Sequence, residues 1–159
     1  MGLGRSKQGE VPIDVKPVSD LADLRASLRI RLAVFVSEQN VPLDEEIDAD
    51  DARAVLYLAS IGDRAVGTSR LVARDSGRWI IGRLAVLRPY RKQGVGTALM
   101  ERMLSDAGDF RTIALNAQVA ALSFYERWGF EIVGEEFMDA GILHRPMERE
   151  PELKNGGRG

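Results

Sequence analysis

The sequence predicts an α/β (α+β mixed-sheet) fold, in which a mixed sheet of about six to seven strands carries helices on both faces. Two observations favour this class. Short strand-like stretches alternate with amphipathic helical stretches along the chain. One stretch, Trp79 to Leu87, is nearly all apolar, as is typical of a strand covered on both faces. The 159 residues are 45% apolar and 29% charged, which indicates one domain over residues 11–149, between a disordered leader (1–10) and a disordered tail (150–159).

The first third of the chain is predicted to contain a strand, a helix and an acidic loop. Val11 to Val18 alternates in hydropathy and predicts the first strand, and Ser19 is a candidate N-cap for the helix that follows. Glu38 to Asp51 is acidic, contains Pro42 and is predicted to be mostly loop, with room for one helical turn. In the helix, apolar residues recur at three- and four-residue steps and form one stripe: Leu21, Leu24, Leu28, Leu32 and Phe35.

Three strands in a meander are predicted next. Ala54 to Ser60 and Ala65 to Ala73 flank a hairpin turn at residues 61–64. A second turn, Asp75 to Gly77, leads into the strand Trp79 to Leu87, and Pro89 ends that strand.

The last part of the chain alternates helices and strands. Thr112 to Ala117 predicts a short buried strand, and Val119 to Trp128 a helix that Gly129 stops. Phe130 to Glu136 and Ile142 to Glu148 are predicted to close the sheet as an antiparallel pair around residues 139–141. Between the strands ending at Leu87 and beginning at Thr112, an amphipathic helix is predicted by Val95, Ala98, Leu99, Met103, Leu104 and Ala107.

Composition excludes several classes of function. The chain has no cysteine and one histidine, His144, so no thiol nucleophile, disulfide or multi-histidine metal site is expected, and no metal cofactor is predicted. The net charge of -2 does not favour a nucleic-acid partner. No apolar run approaches the roughly 20 residues that span a bilayer, so no membrane partner is expected. A cytoplasmic location fits the lack of cysteine.

The turn Arg91-Lys92-Gln93-Gly94-Val95-Gly96 joins a strand to a helix and predicts a phosphate site. Amides at a helix N-terminus lack partners, and the helix dipole adds partial positive charge there. Glycines allow the close approach of a diphosphate, and Arg91 and Lys92 add cations. The P-loop pattern is absent, and the dinucleotide pattern lacks its third glycine, because Leu99 stands there. An ordinary glycine-containing connection remains an alternative.

Taken with two further blocks, this turn resembles the GNAT superfamily of acyl-CoA-dependent N-acyltransferases. The turn follows Leu84-Ala85-Val86, and a second block of the superfamily is matched by residues 115–118 and 124–130. Residues 34–42, 46–48 and 140–144 resemble a small bacterial branch of that superfamily. The likeness covers residues 11–148.

The resemblance implies how the donor, acetyl-CoA, would be held. In the superfamily the fourth and fifth strands splay apart and the pantetheine arm lies between them. Tyr125 matches a tyrosine that protonates the leaving thiolate; a core aromatic with a satisfied hydroxyl is the alternative. The implied cofactor-binding residues are Leu84, Ala85, Val86, Arg91, Lys92, Gln93, Gly94, Val95, Gly96, Thr97, Asn116, Phe124 and Tyr125.

The acceptor is expected to be a primary amine, on a small molecule or a protein. A carboxylate could take the amine proton, and Glu46 is the candidate base, although the acidic segment could instead orient a cationic substrate or be solvated. His144 is a candidate base or pocket residue, with a hydrogen-bonded strand histidine as the alternative. Glu38, Gln39, Asp48 and His144 are the predicted acceptor-binding residues. The branch often carries a histidine early in the second strand, where this chain has Ala54-Val55-Leu56.

Two rival functions and one assembly question follow from the same residues. Residues 48–59 and 67–71 also resemble acyl-homoserine-lactone synthases, but those enzymes lack the acyl-CoA turn and the 116–130 block. A non-catalytic acyl-CoA sensor would keep the donor site without turnover. The resemblance also allows a homodimer.

Overall fold

A computed structural model describes residues 11–151, and the predicted leader and nearly all of the predicted tail lie outside that range. Within it, one mixed sheet has helices on both faces. The strands are β1 (Ile13–Pro17), β2 (Val55–Ile61), β3 (Arg64–Ala73), β4 (Trp79–Val86), β5 (Ile113–Gln118), β6 (Glu131–Ile132), β7 (Phe137–Asp139) and β8 (Ile142–Arg149). The α-helices are α1 (Leu21–Arg31), α2 (Leu43–Glu46), α3 (Val95–Ala107) and α4 (Leu122–Glu126). A π-helical segment (Leu32–Glu38) continues α1, and 3₁₀ turns cover Ala49–Ala52, Arg88–Tyr90 and Val119–Ala121.

The sheet confirms the predicted class. Its strand order is β1-β2-β3-β4-β5-β8-β6, and β7 also pairs with β8. The pair β4–β5 is parallel, and the other pairs are antiparallel. The meander β2–β3–β4 and the last strand, β8, lie where the sequence predicts them. The extra strand arises because the predicted strand Phe130 to Glu136 stops at Ile132, and a separate strand, β7, forms beyond its predicted end.

The break falls inside the predicted strand Phe130 to Glu136. β6 ends at Ile132, and the same edge of β8 is next paired at Phe137. Opposite the break lies Pro146, which has no N–H to donate to a neighbouring strand. Gly134 packs against that proline so closely that a Cβ on it would lie 2.6 Å from Pro146 Cγ. A proline in the middle of β8 therefore divides the strand beside it.

Helix α1 differs from its prediction at its start and on its buried face. Its N-cap is Asp20, not Ser19, because the Asp20 carboxylate accepts the Asp23 N–H at 2.8 Å. The predicted apolar stripe is wrong: Leu21 is 61% exposed, whereas Arg31 is 1% exposed. The helix turns a partly polar face to the sheet, where Ser27 Oγ lies 2.5 Å from Thr68 Oγ1.

Two apolar clusters lie on opposite faces of the sheet. The larger one packs the buried side of α3, including Leu99, Met100 and Met103, against the strands. The smaller one joins α1 and the π-helical segment to β2 and β4. On β3, Gly67 gives α3 room to approach, because a Cβ there would lie 2.7 Å from Val95 Cγ1. This packing fixes the first turn of α3 beside the end of β4.

Candidate active site

The sheet opens between β4 and β5, as the resemblance implied. Among the described residues these strands pair at Trp79 with Ile113 and at Ile80 with Ala114, and then diverge. A cavity of about 540 Å³ lies at the opening. It is lined by predicted donor-site residues from both strands and from α4: Leu84, Ala85, Val86, Asn116, Phe124 and Tyr125.

The predicted phosphate turn lies at the start of α3, at one end of this cavity. The helix begins at Val95, as predicted, and its N-cap Gly94 has a φ of +88° that other residues rarely adopt. No side chain caps the helix, so its first amides remain available to an anion. Lys92, Gln93 and Thr97 are exposed around them, whereas the Val95 side chain is buried in the core. Gly96 lies against Phe124, because a Cβ on Gly96 would be 3.5 Å from Cζ of that ring.

Arg91 is held in place by Glu38, which was predicted on the acceptor side. Arg91 Nε donates to Val86 O at 2.9 Å, and Nη2 donates to both Glu38 oxygens at 3.0 and 2.9 Å. Glu38 also lies 3.4 Å from Arg88. This position does not fit acceptor binding: Glu38 joins the π-helical segment to the donor turn.

Gln39 bridges the opening of the sheet. Its side-chain amide exchanges two hydrogen bonds with that of Gln118, at 3.4 and 2.9 Å. Gln118 ends β5 and Gln39 follows the π-helical segment, so the pair joins the two sides of the cavity that both residues line. Gln39 is thus at the site, with its amide already engaged.

Most carboxylates of the acidic segment, which was predicted as a solvated or substrate-binding loop, are paired with arginines, whereas Asp44 and Glu45 are exposed. Glu46, the predicted base, is 2% exposed, and its Oε1 lies 2.9 Å from Arg31 Nε and 3.3 Å from Arg83 Nε. A carboxylate between two guanidinium groups would lose both contacts on taking a proton. The structure therefore does not fit Glu46 as the base.

Asp48 is engaged in the same way. Arg70 donates to its two oxygens at 2.7 and 3.0 Å, and Arg83 lies 3.2 Å away. The hydrogen bond from Arg70 lowers the pKa of the Asp48 carboxyl against the opposing effect of burial, and the charges of Arg70 and Arg83 lower it further. Asp50 is paired with Arg74 at 2.7 Å. The carboxylate of Asp48, which was predicted to bind the acceptor, is thus already paired with two arginines of the protein itself.

This network also holds an irregular part of β4. The register of β3 and β4 shifts between Thr68 and Arg70, and Arg83 has a φ of +52°, a costly conformation for a residue with a Cβ. Its guanidinium donates to Glu46 O at 3.1 Å and to Glu45 O at 3.2 Å. The acidic segment therefore fixes the backbone of β4 just before Leu84, the first of the predicted donor-site residues on this strand.

Asp51 gives this network a measurable pH dependence. Burial alone would raise the pKa of its carboxyl, but hydrogen bonds from Arg31 and from the Asp48 N–H, with the charges of Arg31 and Arg70, lower the pKa to about 2. Since the folded value lies below the unfolded value of about 3.9, ionised Asp51 stabilises the fold above about pH 5, and this contribution is lost as the pH falls toward about 2.

Asp51→Asn is expected to lower the free energy of unfolding by about 2 kcal/mol at pH 7 and to flatten its decline between about pH 5 and 2. Urea unfolding at a series of pH values measures both effects. Asp63→Asn, an exposed change at the β2–β3 turn, is the control. An Asp51→Asn profile parallel to that of the parent protein would contradict the assignment.

Tyr125 lies in the cavity with aromatic neighbours. Its ring packs edge-to-face against Phe124, at 5.2 Å between centroids, and against Phe130, at 6.3 Å. Burial raises the pKa of Tyr125 to about 12. Within residues 11–151 no group hydrogen-bonds its hydroxyl, which leaves the O–H free to donate to a ligand.

His144 lines the same cavity from β8. Its ring stacks on Phe137, with centroids 5.7 Å apart and an angle of 22° between the planes. Its Nδ1 lies 2.6 Å from Ile142 O. The β7–β8 turn beside it is a tight type I′ turn, in which Ala140 and Gly141 have φ values of +49° and +77°. His144 is therefore a predicted acceptor-side residue that lines the cavity without a charged partner and, unlike Gln39, can take up a proton.

Sequence patterns missed the arginines of the site. Arg31, Arg70 and Arg83 lie in a helix and two strands. Arg70 falls within residues 67–71, which resemble acyl-homoserine-lactone synthases, but no pattern gave any of the three a role in the site. Their one signal is a charged residue inside an otherwise apolar strand, such as Arg83 between Ile81 and Leu84. Asp139, which lines the cavity, and Phe137, which stacks on His144, carried no signal.

The fold and this cavity define the protein's class. The family model described as an acetyltransferase (GNAT) domain matches residues 20–151, and the chain belongs to the GNAT family. It is an acyltransferase, and the reaction of its family is acyl transfer from an acyl-CoA. Among the described residues, no helix combines the length and apolar character needed to cross a bilayer.

Particular relatives agree with the family. The chain is 37% identical over 131 residues to the uncharacterised N-acetyltransferase YjcF of Bacillus subtilis, covering 80% of this chain and 92% of that protein. Escherichia coli ElaA superposes with a TM-score of 0.79 at 31% identity, over 87% of this chain and all of that one. An acyl-CoA N-acyltransferase from Pseudomonas aeruginosa superposes with a TM-score of 0.78 at 30% identity, over 87% of this chain and 99% of that one.

Proposed function

We propose that this protein transfers an acetyl group from acetyl-CoA to a primary amine, by direct attack of the amine within a ternary complex. The observation that carries the proposal is the opening between β4 and β5. An uncapped helix N-terminus with Gly94 lies at one end of it, and Tyr125 and His144 line it. The names of the N-acetyltransferase and N-acyltransferase relatives support the same reaction.

The turn before α3 fits the pyrophosphate of acetyl-CoA. The first amides of α3 have no side-chain cap, and the positive end of the helix dipole favours an anion there. Gly94 and Gly96 keep the approach open, while Lys92 adds a positive charge at the surface. Arg91 would contribute a further positive charge, in the position fixed by its contacts with Glu38 and Val86 O.

The opening of the sheet fits the pantetheine arm. Beyond Ile80, β4 keeps its hydrogen bonds to β3, while its other edge faces the cavity. The backbone of Leu84 to Val86 is therefore able to pair with the amides of the arm, as a further strand would. Asn116 lies exposed on the opposite strand, and Phe124 adds an apolar wall.

Tyr125 is proposed as the general acid. Against a cysteine-like thiol with a pKa near 8.5, a donor with a pKa of about 12 faces a cost of about 5 kcal/mol. A thiol bound in this cavity is buried as well, which raises its pKa and narrows the difference between the pKa values of the thiol and of Tyr125. Tyr125 therefore donates its proton as the C–S bond breaks and negative charge develops on sulfur.

Tyr125→Phe tests this role and the activity together. Turnover is expected to fall roughly 100-fold, because a general acid contributes 10²–10⁴-fold, while the dissociation constant of acetyl-CoA changes little. Release of CoA is followed with a thiol reagent over a panel of amines, and calorimetry gives the affinity. The chain has no cysteine, so the protein adds no thiol background.

Tyr57→Phe is the matched control for that experiment. It removes a hydroxyl that donates to Asp106 at 2.7 Å, away from the cavity lining, so it should affect stability and leave turnover intact. Equal turnover of Tyr125→Phe and the parent protein would remove Tyr125 from the mechanism. Acetyl-CoA binding without acetylation of any amine would count against the proposed function itself.

A further inference from the structure

We propose that His144 is the general base, whose Nε2 takes the proton from the attacking amine. This inference rests on the proposed acetyl transfer and assigns the residue that activates the acceptor. It begins with the contact of 2.6 Å between His144 Nδ1 and Ile142 O. A backbone carbonyl can only accept a hydrogen bond, so Nδ1 carries the hydrogen and donates it. In the neutral ring Nε2 then holds the free lone pair.

The ring is also held in a defined orientation. Phe137, its register partner on β7, stacks on one face of the imidazole. On the other side of β8, the register partner of His144 is Gln118, whose amide is engaged by Gln39. Both the tautomer and the ring plane are therefore set before an acceptor enters the cavity.

The other groups that line this cavity are less suited to take the proton. Glu46 and Asp50 are paired with arginines. Glu45 on α2 and Asp139 on β7 are solvent-exposed, where a carboxylate is a weak base. Arg83 on β4 and Tyr125 on α4 are proton donors, and β5 faces His144 with the uncharged Gln118. Histidine is the side chain whose titration range suits a base near neutral pH.

The proton balance assigns one role to each group. The nitrogen lone pair of the amine bonds to the thioester carbonyl carbon, and the C–S bond breaks with its electron pair on sulfur. The substrate enters as an ammonium, and the proton that it must lose to free this lone pair goes to His144 Nε2. That proton passes to solvent when the ring is restored. The thiolate takes the Tyr125 proton, and the last surplus proton of the nitrogen restores Tyr125. An ammonium and acetyl-CoA thus give an amide, CoA thiol and one free proton.

The first test reads the tautomer without any substrate. His144 is the single histidine of the sequence, so a uniformly ¹⁵N-labelled protein without a histidine tag gives one imidazole in a long-range ¹H–¹⁵N spectrum. For the neutral ring, the Nδ1–H tautomer, with a pyridine-type shift on Nε2, is expected. An Nε2–H tautomer would overturn the assignment.

The second test separates a base from a structural histidine. With an amine that the parent protein acetylates, such as spermidine or glucosamine, His144→Gln is expected to lower kcat roughly 100-fold near pH 7. The KM for acetyl-CoA should stay within about twofold, because the donor-site residues are untouched. The difference in kcat between His144→Gln and the parent protein should narrow as the pH rises, because more of the amine is then already deprotonated.

Leu143→Ala is the matched control. The side chain is 37% exposed and points to the opposite face of β8, so parent-like turnover is expected. If His144→Gln keeps the parent pH profile while the parent acetylates the amine, the base assignment is wrong and the proposed function stands. If the parent binds acetyl-CoA and acetylates nothing in the panel, both proposals are overturned.

Discussion

Replacement of Gly94 by glutamate is expected to weaken acetyl-CoA binding by at least roughly 30-fold. The new carboxylate would lie at the N-terminus of α3, where the pyrophosphate is proposed to bind, and repulsion from two phosphate charges at about 4 Å costs about 2 kcal/mol even at the dielectric constant of water. It would also compete for the amides that the helix leaves uncapped. Isothermal titration calorimetry measures the change.

The backbone cost of that substitution needs its own control. Gly94 has a φ of +88°, so any other residue there adds about 1 kcal/mol of strain. Gly77→Glu adds the same charge at a φ of +82°, in the turn before β4 and so at the other end of that strand. Both variants should lose about 2–4 °C in Tm, and the Gly94 variant alone should lose affinity. Unchanged affinity of Gly94→Glu would refute the proposed pyrophosphate site.

Replacement of Arg31 by methionine is expected to reduce the free energy of unfolding by about 3–5 kcal/mol and the Tm by about 10 °C. Arg31 is 1% exposed, and its guanidinium contacts the carboxylates of Glu46 at 2.9 Å and Asp51 at 2.7 Å. Without it, the buried Glu46 carboxylate would keep only Arg83, at 3.3 Å. A buried charge that loses its partner destabilises a protein more than the pair stabilises it.

Arg74→Met provides the comparison on a similar ion pair. Arg74 also contacts a carboxylate through two nitrogens, at 2.9 and 2.7 Å to Asp50, but its side chain is 39% exposed. Loss of this pair should lower the free energy of unfolding by less than about 1 kcal/mol. Urea unfolding of both variants checks the difference. Equal destabilisation would mean that burial does not set the strength of this network.

The predictions from sequence succeeded where local chemistry decides the structure. The start of α3 was predicted because Val95, Leu99 and Met103 recur at helical spacing, and all three are buried in the core. The strand Trp79 to Leu87 was found because its side chains are apolar over nearly its whole length. Pro146 shows the limit: its effect is on the neighbouring strand, which divides into β6 and β7, and a pattern read along one segment does not contain that partner.

The candidate site was predictable on the donor side and far less so on the acceptor side. The residues proposed to hold the pantetheine arm and the pyrophosphate are consecutive in the sequence, at 84–86 and 91–97, so a motif can record them. The roles of Glu46 and Asp48 depend on Arg31 and Arg70, which come from other elements. An acidic stretch has the same sequence whether solvent or arginine surrounds it, so periodicity could not reveal the ion pairs.

The divergence of β4 from β5 places two strand edges inside a sheet. An unpaired edge at the rim of a sheet invites pairing with other molecules and is a recurrent cause of aggregation. Here each edge faces the other across a cleft, while β3 and β8 cover the outer sides of the two strands. The protein can thus offer backbone hydrogen-bonding groups to a slender ligand while keeping them out of reach of a second sheet.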